Sequence, residues 1–529
     1  MAAPLFETND RARAEAFSAL TWCNPFNDER VALERAALGE AWQQPATGVV
    51  WLGGVPVPPN NPNITPLAKL AEQLATTARE RLRRRTPTAR ERILYHNLGL
   101  YTVFHRYEED FHRLIQLGRE RGAAPARCAF YERYRNDLDR WFPADQPALA
   151  LEFSADRIFA SFYQVRRAYA HINEFIIGTS VAARRLRARV WQSIFTRDTE
   201  RFVRALTGKM AELVTLVTGP SGSGKELVAR AIGLSRHVPF DGAKREFAED
   251  YLRSFYPINL AALSPTLIES ELFGHRRGAF TGALADRQGY LEACGQHGTV
   301  FLDEIGETEP TIQVKLLRVL QTRVFQRIGD TEPRTFAGKI IAATNRDLAG
   351  EMRAGRFRPD LYYRLCADHV QTPALSEILR DAPGELNTLV HHVAAKIAGP
   401  DEAATFTEEA CAALQRCLPP DYAWPGNFRE LEQAVRNILV HGDYVPEGTG
   451  QLGAPPANGA GQGGAASASL ETPEGFALAL AAGELTADTL LRNYIQRVHG
   501  LAGSYEEAAR RLGLDRRTVK KYLRETAPG

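Results

Sequence analysis

A glycine-rich loop between a short apolar run and a helical pattern constrains this chain more than any other feature. Residues 213–218 read LVTLVT, a β-branched run typical of a buried strand, and residues 219–226 follow as GPSGSGKE. The helical pattern ELVARAIGL continues from Glu226. Strand, glycine loop and helix in this order are typical of a phosphate-binding loop, in which backbone N–H groups turn toward the phosphates and the helix N-terminus attracts negative charge. We therefore predict an α/β domain built on a parallel sheet.

The loop supplies the predicted nucleotide-binding residues. Lys225 is expected to place its ammonium group against the β- and γ-phosphates of a nucleotide. The Ser or Thr that usually follows this lysine is Glu226 here, so coordination of Mg²⁺ must depend more on other groups. The loop residues predicted to bind ATP are Gly219, Pro220, Ser221, Gly222, Ser223, Gly224, Lys225 and Glu226.

A second segment supplies carboxylates suited to metal-assisted hydrolysis. Residues 298–304 read GTVFLDE, a hydrophobic strand pattern that ends in two acids. Asp303 is expected to hold Mg²⁺, directly or through water, and Glu304 to orient and polarise the attacking water. ATP and Mg²⁺ are thus the predicted cofactors.

Between these two halves lies a small, glycine-bounded loop. Residues 269–283 read ESELFGHRRGAFTGA. With this motif, the chain resembles the bacterial enhancer-binding proteins, AAA+ ATPases that activate sigma-54 RNA polymerase, over roughly residues 175–442 and again at about 485–525. The resemblance implies an AAA+ P-loop core, with a parallel sheet flanked by helices and an α-helical lid. It also implies that the loop touches sigma-54 through Gly278, Ala279, Phe280, Thr281, Gly282 and Ala283.

The resemblance assigns further residues to the nucleotide site. It implies that Thr344 and Asn345 form the polar tip of the sensor I strand, and that Asn259 couples Glu304 to the loop. In the family, arginines at the positions of Arg358 and Arg364 reach the γ-phosphate of the neighbouring subunit, so activity requires a closed ring. The resemblance also implies a nucleotide-sensing Arg429 and adenine contacts from Ile177 and Gly178. The stretch 372–386, TPALSEILRDAPGEL, departs from the family pattern.

The C-terminal part has helix-turn-helix spacing. Residues 503–523 read GSYEEAARRLGLDRRTVKKYL, and Ala508, Ala509 and Leu512 are expected to face Val519 and Leu523. The segment is similar to a Fis-type domain that binds double-stranded DNA, although a basic helical bundle without a DNA role remains an alternative. The residues predicted to contact DNA are Arg516, Arg517, Thr518, Lys520 and Lys521.

These observations predict five parts. A mixed, mostly helical regulatory domain is expected at 1–170, an α/β ATPase subdomain at 175–375, a helical lid at 376–446, a Gly/Ala-rich flexible linker at 447–473 and an all-α helix-turn-helix domain at 474–529. Within the first, residues 48–57 predict a strand and 91–117 a helix with an aromatic stripe. That stripe indicates a core face or, alternatively, the wall of a ligand pocket.

The composition limits the kinds of partner and compartment that fit this chain. The net charge is +2, so any DNA contact must come from a local basic patch. The six cysteines form no metal-ligand spacing, and the chain shows neither a signal pattern nor a long apolar run. A cytosolic protein without a membrane segment is expected.

Three functions fit the motifs. The first is an activator that binds upstream DNA as dimers, assembles into a ring of up to hexamer type, and remodels the sigma-54 polymerase holoenzyme. The second is a DNA-bound repressor with vestigial ATPase activity. The third is an AAA+ remodeller of a different target.

Overall fold

The computed structural model describes residues 5–46, 50–52, 55–57, 61–83, 86–123, 127–147 and 149–446, and near the C-terminus residues 491, 494–495, 498–499, 501–516 and 518–520. The chain divides into two compact units, Met1–Gly450 and Gln451–Gly529. No helix in these ranges is long and apolar enough to cross a bilayer. The predicted linker at 447–473 lies outside the described residues.

The N-terminal part is mostly helical. Its elements are α1 Thr8–Leu20, α2 Glu29–Leu38, β1 Val50–Leu52, β2 Val55–Val57, α3 Ile64–Leu82, α4 Ala89–Arg121, α5 Tyr131–Trp141 and α6 Ala155–Phe175. β1 and β2 pair antiparallel, so the single strand predicted over 48–57 is wrong. The sequence between them is Gly53-Gly54, a dipeptide that favours a tight reversal of the chain.

The long helix α4 carries the aromatic stripe. A capping box between Thr88 and Glu91 starts the helix. Tyr101, Tyr107 and Phe111 are buried in the N-terminal core, while Phe104 is half-buried. The stripe therefore faces the core, and Tyr101 and Phe104 also line a cavity.

The central part is a parallel sheet flanked by helices. Its elements are α7 Val181–Phe195, α8 Thr199–Arg201, β3 Thr215–Thr218, α9 Lys225–Gly233, β4 Phe240–Asp241, β5 Glu246–Phe247, β6 Phe255–Asn259, α10 Pro265–Phe273, α11 Tyr290–Ala293, β7 Thr299–Asp303, α12 Pro310–Thr322, β8 Val324–Phe325, β9 Arg334–Thr335, β10 Lys339–Thr344, α13 Leu348–Arg353, α14 Pro359–Leu365 and β11 Asp368–Gln371. The five-stranded sheet has the order β11-β3-β10-β7-β6, and all its pairs are parallel. The predicted α/β fold is confirmed.

Four helices follow the sheet and share their own core. They are α15 Leu375–Asp381, α16 Glu385–Ala398, α17 Ala403–Cys417 and α18 Asn427–His441. Leu389, Phe406, Leu414 and Leu431 are among the buried side chains that hold them together. This bundle occupies the positions predicted for a lid.

Helix α6 belongs to two hydrophobic cores. Its first half places Ile158, Phe159 and Tyr163 in the N-terminal core. Its second half places Ala168 and Ile172 in a core shared with α9 and the sheet. One rigid element thus connects the N-terminal helices to the helix that follows the glycine loop.

A hairpin of the central part also enters the N-terminal core. β4 and β5 pair antiparallel, and their Phe240 packs against Tyr131 and Phe159 with ring centroids 4.8 and 4.4 Å apart. Gly242 N donates to Asp156 Oδ2 at 3.1 Å, and Cys128 N donates to Arg245 O at 2.9 Å. The N-terminal core is therefore completed by residues far along the chain.

In the C-terminal unit, α19 Tyr505–Leu512 starts at a Ser504 cap and ends at Gly513, whose φ is 64°. Ala508 and Ala509 share a small core with Val519 and Ile495. The predicted packing of α19 against Val519 is present, while Leu523 lies outside the described residues.

We predict that Phe159→Ala lowers the free energy of unfolding by about 3–5 kcal/mol, because it leaves a cavity where α6, α5 and the β4–β5 hairpin meet. Urea denaturation followed by near-ultraviolet circular dichroism measures this loss. Leu117→Ala, at a side chain 40% exposed on α4, is the control and should change it by less than about 1 kcal/mol. Equal losses in the two variants would contradict the shared core.

Candidate active site

The glycine loop joins β3 to α9 at the carboxyl edge of the sheet. Gly219, Gly222 and Gly224 have φ values of 150°, 72° and 85°, which side chains rarely adopt. A Cβ atom at Gly219 would lie 2.1 Å from Thr372 Oγ1, and one at Gly222 would lie 2.2 Å from Gly426 O. Both glycines are therefore required by backbone conformation and by close neighbours.

Lys225 is folded into this loop. Its Nζ donates to Gly219 O at 3.1 Å and to Pro220 O at 3.0 Å. Burial lowers the pKa of Lys225, whereas the nearby Glu304 and Asp303 act in the opposite direction. The ammonium group is thus held at the loop, close to the two acids predicted to act on the same substrate.

The residue after the lysine does not point into the loop. Glu226 pairs with Arg230 one turn along α9, at 3.0 Å. Its carboxylate is therefore engaged on the exposed face of the helix.

The two acids lie at the end of β7. Burial raises the pKa of Asp303, and the adjacent Glu304 raises it further. Asp303 Oδ1 accepts from Glu304 N at 3.1 Å. Glu304 has φ 54° and ψ 47°, a left-handed conformation that costs energy in a residue with a side chain and often marks functional sites.

Neighbouring strands bring the predicted polar residues to the same edge. Asn345 N donates to Glu304 Oε2 at 3.4 Å, and the buried Thr344 accepts from Arg346 N at 3.1 Å through Oγ1. Asn259 pairs in register with Asp303. Its Oδ1, however, accepts from Ala261 N and Ala262 N at 2.9 and 3.1 Å. A contact between Asn259 and Glu304 stays a prediction.

The lid touches the glycine loop directly. Phe428 N donates to Gly222 O at 3.1 Å, and Asn427 Nδ2 donates to Ser221 O at 2.9 Å. The Cβ of Arg429 would lie 3.2 Å from a Cβ at Gly222. The predicted Arg429 is therefore beside the loop, whereas Asn427 was not predicted. Its position in the WPGNFREL segment is the only signal it gives in the sequence.

Ser223 and Thr372 tie the loop to β11. Ser223 Oγ lies 2.6 Å from Thr372 Oγ1, which also donates to Thr218 O at 3.2 Å. Thr372 was not predicted as a site residue. It opens the stretch that departs from the family pattern.

The segment 175–180, predicted to cover adenine, passes between the sheet and the lid. Ile176 packs in the core of α6 and α9, and Ile177 packs against the lid core. Gly178 has φ 111°. Thr179 N and Ser180 N donate to the buried Glu385 at 2.6–2.8 Å. Glu385, in the lid, is a residue that sequence reasoning missed.

The two predicted arginine fingers lie at the surface. Arg358 precedes α14 and pairs with Asp360 at 2.8 Å. Arg364 is exposed on α14. In the described part of the chain, neither side chain makes a hydrogen bond or ion pair with the glycine loop or with Asp303 and Glu304.

The loop 278–283 is folded on its own base. Gly278 N donates to Ala283 O at 2.9 Å, and Gly278 and Gly282 have φ values of 80° and 101°. The Phe280 ring lies 5.0 Å from the ring of His275, edge to face. Thr281 is exposed. The loop thus presents a hydroxyl at its tip while its phenyl group is half-buried.

Ion pairs fix the base of this loop. Arg276 pairs with Asp286 at 2.7 Å and with Asp330 at 3.1 Å. Arg277 N donates to Asp286 Oδ1 at 2.8 Å. The base of the loop is therefore constrained by ion pairs and a backbone hydrogen bond, while Thr281 at its tip is exposed.

The basic residues of the C-terminal unit are described in part. Arg516 pairs with Glu506 at 2.8 Å, and Thr518 bonds to Asp515. Lys520 is exposed. The predicted contacts Arg517 and Lys521 lie outside the described residues.

Comparison with known proteins finds matches in the part of the chain that contains this site. Residues 194–371 match the sigma-54 interaction domain. The chain is 44% identical over 242 residues to the transcriptional regulatory protein ZraR of Escherichia coli K12, covering 45% of this chain and 50% of that protein. It is 39% identical over 277 residues to the Nif-specific regulatory protein of Herbaspirillum seropedicae, covering 51% of this chain and 44% of the relative. The chain thus spans about half the length of these curated relatives.

A solved structure, NtrX of Brucella abortus in complex with ATP, is 24% identical to this chain, with a TM-score of 0.38. The match covers 74% of this chain and 79% of that chain. The resemblance inferred from the motifs is confirmed by the domain match and by the relatives. The part of the chain that these comparisons cover, residues 194–371 for the domain, thus resembles the sigma-54-dependent enhancer-binding regulators.

Proposed function

We propose that this chain is an activator that couples ATP hydrolysis in a ring-shaped oligomer to remodelling of sigma-54 RNA polymerase at promoters. The observation that carries the proposal is the combination of a complete hydrolytic edge with an intact loop at 278–283. Lys225, Asp303 and Glu304 lie at one end of the sheet, where burial lowers the pKa of Lys225 and raises that of Asp303, and where the charges of the three groups act on one another.

In this mechanism the chain's own groups position the nucleotide and the water. The loop N–H groups and the α9 N-terminus cradle the phosphates, and Lys225 leaves its carbonyl partners for the β- and γ-phosphates. Glu304, held in its left-handed conformation beside Asn345 N, orients the attacking water. Arg429 and Asn427 link the nucleotide state to the lid because they lie against the glycine loop.

Magnesium fits this edge. Asp303 is a carboxylate at the end of a strand, the type of oxygen ligand that Mg²⁺ prefers. Within the described ranges no cluster of three or more His, Cys, Asp or Glu side chains could hold a metal alone. Phosphate oxygens and water would therefore complete the coordination, and the ion would neutralise charge on the phosphates.

Because Arg358 and Arg364 lie at the surface, their positions are compatible with each guanidinium acting on the nucleotide bound by a neighbouring subunit. Arg364 is exposed, and a guanidinium from a neighbouring subunit can stabilise the charge that develops on the transferred phosphoryl group. Assembly into a ring would then be a condition of activity.

The loop at 278–283 would transmit the conformational change that follows ATP hydrolysis to sigma-54. Its glycines permit two conformations, and loss of the γ-phosphate provides the difference in energy between them. Phe280 would exchange its contact with His275 for a contact with sigma-54. The C-terminal unit would dock on double-stranded DNA through its basic helix, and the protein would work in the cytoplasm.

The two rival functions make different demands. A repressor with vestigial ATPase activity needs no hydrolysis, and a remodeller of another target needs no response to sigma-54. The hydrolytic residues favour an active ATPase over the first, and the sigma-54 interaction domain favours the polymerase over the second.

We predict that Glu304→Gln lowers kcat for ATP hydrolysis by about 10²-fold or more, because it removes the group that polarises the water, while ATP still binds. Phosphate release and calorimetric titration of ATP measure the two effects. Glu309→Gln, at an exposed carboxylate, is the control and should hydrolyse at the wild-type rate. Full hydrolysis by Glu304→Gln would remove Glu304 from the mechanism.

A mixing experiment tests whether the arginine acts between subunits. Lys225→Ala and Arg364→Ala are each expected to be inactive in ATP hydrolysis. Equal mixing should restore about a quarter of wild-type activity, since that fraction of interfaces pairs an intact Lys225 with an intact Arg364 in random rings. If the mixture is as inactive as each variant alone, Arg364 does not act on the nucleotide of a neighbouring subunit.

Promoter opening tests the function itself. With sigma-54 polymerase, the intact chain should open a promoter only when ATP is hydrolysed. Thr281→Ala should abolish opening while hydrolysis continues, because the exposed hydroxyl is lost from the loop tip. Permanganate footprinting measures opening, and Thr331→Ala, at another exposed threonine, is the matched control. Opening that survives Thr281→Ala, or hydrolysis with no opening by any variant, would favour the remodeller.

A further inference from the structure

Two buried hydroxyl groups meet beneath the glycine loop, and the proposed mechanism gives neither of them a task. Ser223 belongs to the loop and is 5% exposed, whereas Thr372 directly follows β11 and is 1% exposed. The two oxygen atoms, Ser223 Oγ and Thr372 Oγ1, are 2.6 Å apart. Because a buried hydroxyl costs free energy unless it is hydrogen-bonded, the partners of the two hydrogens decide what this pair does.

Ser223 closes one turn of the loop twice. Its backbone N donates to Pro220 O at 3.3 Å, and its Oγ donates to the same oxygen at 2.7 Å. Gly222, the third residue of this turn, has φ 72°, the left-handed conformation that a type II turn takes at that position. The serine hydroxyl thus reinforces the backbone hydrogen bond that defines the turn 220–223.

Thr372 connects this turn to the sheet. Because the one hydroxyl hydrogen of Ser223 goes to Pro220 O, its oxygen accepts from Thr372 Oγ1. A second acceptor for the threonine hydrogen, Thr218 O, is farther away at 3.2 Å and already accepts from Thr372 N at 2.8 Å. Two short hydrogen bonds therefore run in series, from Thr372 to Ser223 and from Ser223 to Pro220.

The entrance to the lid holds the loop at a second point. Three residues after Thr372, Leu375 N donates to Asn427 Oδ1 at 2.8 Å. Asn427 Nδ2 in turn donates to Ser221 O at 2.9 Å. The loop is therefore held at both Ser221 and Ser223 by groups where β11 leads into the lid.

A loop that is fixed before its ligand arrives binds that ligand more tightly. A phosphate cradle needs several backbone N–H groups that point the same way, and a free loop would lose conformational entropy when it aligned them. Thr372 also leaves the start of the loop little room, because a Cβ atom at Gly219 would lie 2.1 Å from Thr372 Oγ1. Contacts from β11 thus favour one conformation of the loop.

We propose that Thr372 is a positioning residue for the nucleotide, which acts through the Ser223 hydroxyl and holds the turn 220–223 in its phosphate-binding conformation. The inference rests on the proposed function for the identity of the ligand, an adenine nucleotide. It goes beyond that function by assigning part of the nucleotide affinity to a residue outside the glycine loop and the acidic strand end. Loss of the threonine hydroxyl therefore weakens nucleotide binding and leaves the hydrolytic groups in place.

Calorimetric titration of the full-length chain with ADP tests the proposal, because this nucleotide binds without turnover. Thr372→Val keeps the size of the side chain but removes the hydroxyl, and it should weaken ADP binding about tenfold. Thr372→Ser keeps the hydroxyl and should bind ADP within about twofold of the wild type. If Thr372→Val binds as the wild type does, or if Thr372→Ser is as weak as Thr372→Val, the proposal is overturned.

Thr215→Val is the matched control. Thr215 is also fully buried, and its Oγ1 donates to Asp368 Oδ2 at 2.9 Å at the other end of the β3–β11 pair. Both valine variants lose one buried hydrogen bond and should lower the melting temperature by similar amounts. Only Thr372→Val should weaken ADP binding. Equal weakening by Thr215→Val would mean that any disturbance of these strands lowers the affinity, and Thr372 would then have no specific role.

A double-mutant cycle tests the route through Ser223. Ser223→Ala removes the middle of the hydrogen-bond series and should weaken ADP binding at least as much as Thr372→Val. The double variant should bind no more weakly than Ser223→Ala alone, because Thr372 then has no hydroxyl to hold. If the two losses of affinity multiply in the double variant, Thr372 does not act through Ser223 and the proposal is wrong.

Steady-state hydrolysis separates positioning from catalysis. Thr372→Val should raise KM for ATP about tenfold and change kcat by less than about twofold, since it removes binding that ground state and transition state share. A fall in kcat at unchanged KM would contradict the positioning role. If the wild type binds ADP but neither hydrolyses ATP nor opens a promoter, the activator function fails, while the ADP titrations still decide the role of Thr372.

Discussion

Burial of α6 on two sides is the constraint on which the first unit depends. Phe159 is surrounded by rings of the N-terminal helices, while Ile172 lies against α9 and the sheet. Moving the helix to improve one core would open the other, because Phe159 and Ile172 are both closely packed. The buried Arg167 reinforces this position: it donates to Arg236 O and its guanidinium lies 4.1 Å from the Tyr251 ring centroid. The N-terminal helices and the glycine loop therefore share one mechanical support.

The parts of the structure that were predictable from the sequence are those encoded by neighbours in the chain. The glycine loop is specified by residues 219–225, and the acidic strand end by Asp303 and Glu304. In both cases a motif and its flanking hydrophobic period are sufficient. The sheet followed from these motifs. The structure also places Arg429 beside the loop, while its role in sensing the nucleotide stays a prediction.

The parts that could not be predicted depend on contacts between distant residues. Glu385 holds the backbone of residues 179–180 across more than two hundred positions, and no local pattern distinguishes it from a surface glutamate. The capture of the β4–β5 hairpin by the N-terminal core has the same origin. Asn259 could not be placed from the sequence for a different reason. The family motif identifies the residue, but in this structure its Oδ1 accepts from the nearby Ala261 N.

The captured hairpin also has a consequence for how the chain is made. Val238, Phe240 and Tyr251 complete the core of helices that begin at Thr8. The N-terminal helices therefore leave the ribosome well before the side chains that cover their aromatic surface. Until the chain has been extended past Tyr251, that surface stays open to other unfinished chains and to chaperones. Folding of the N-terminal helices can thus be completed only when synthesis of the central part is well under way.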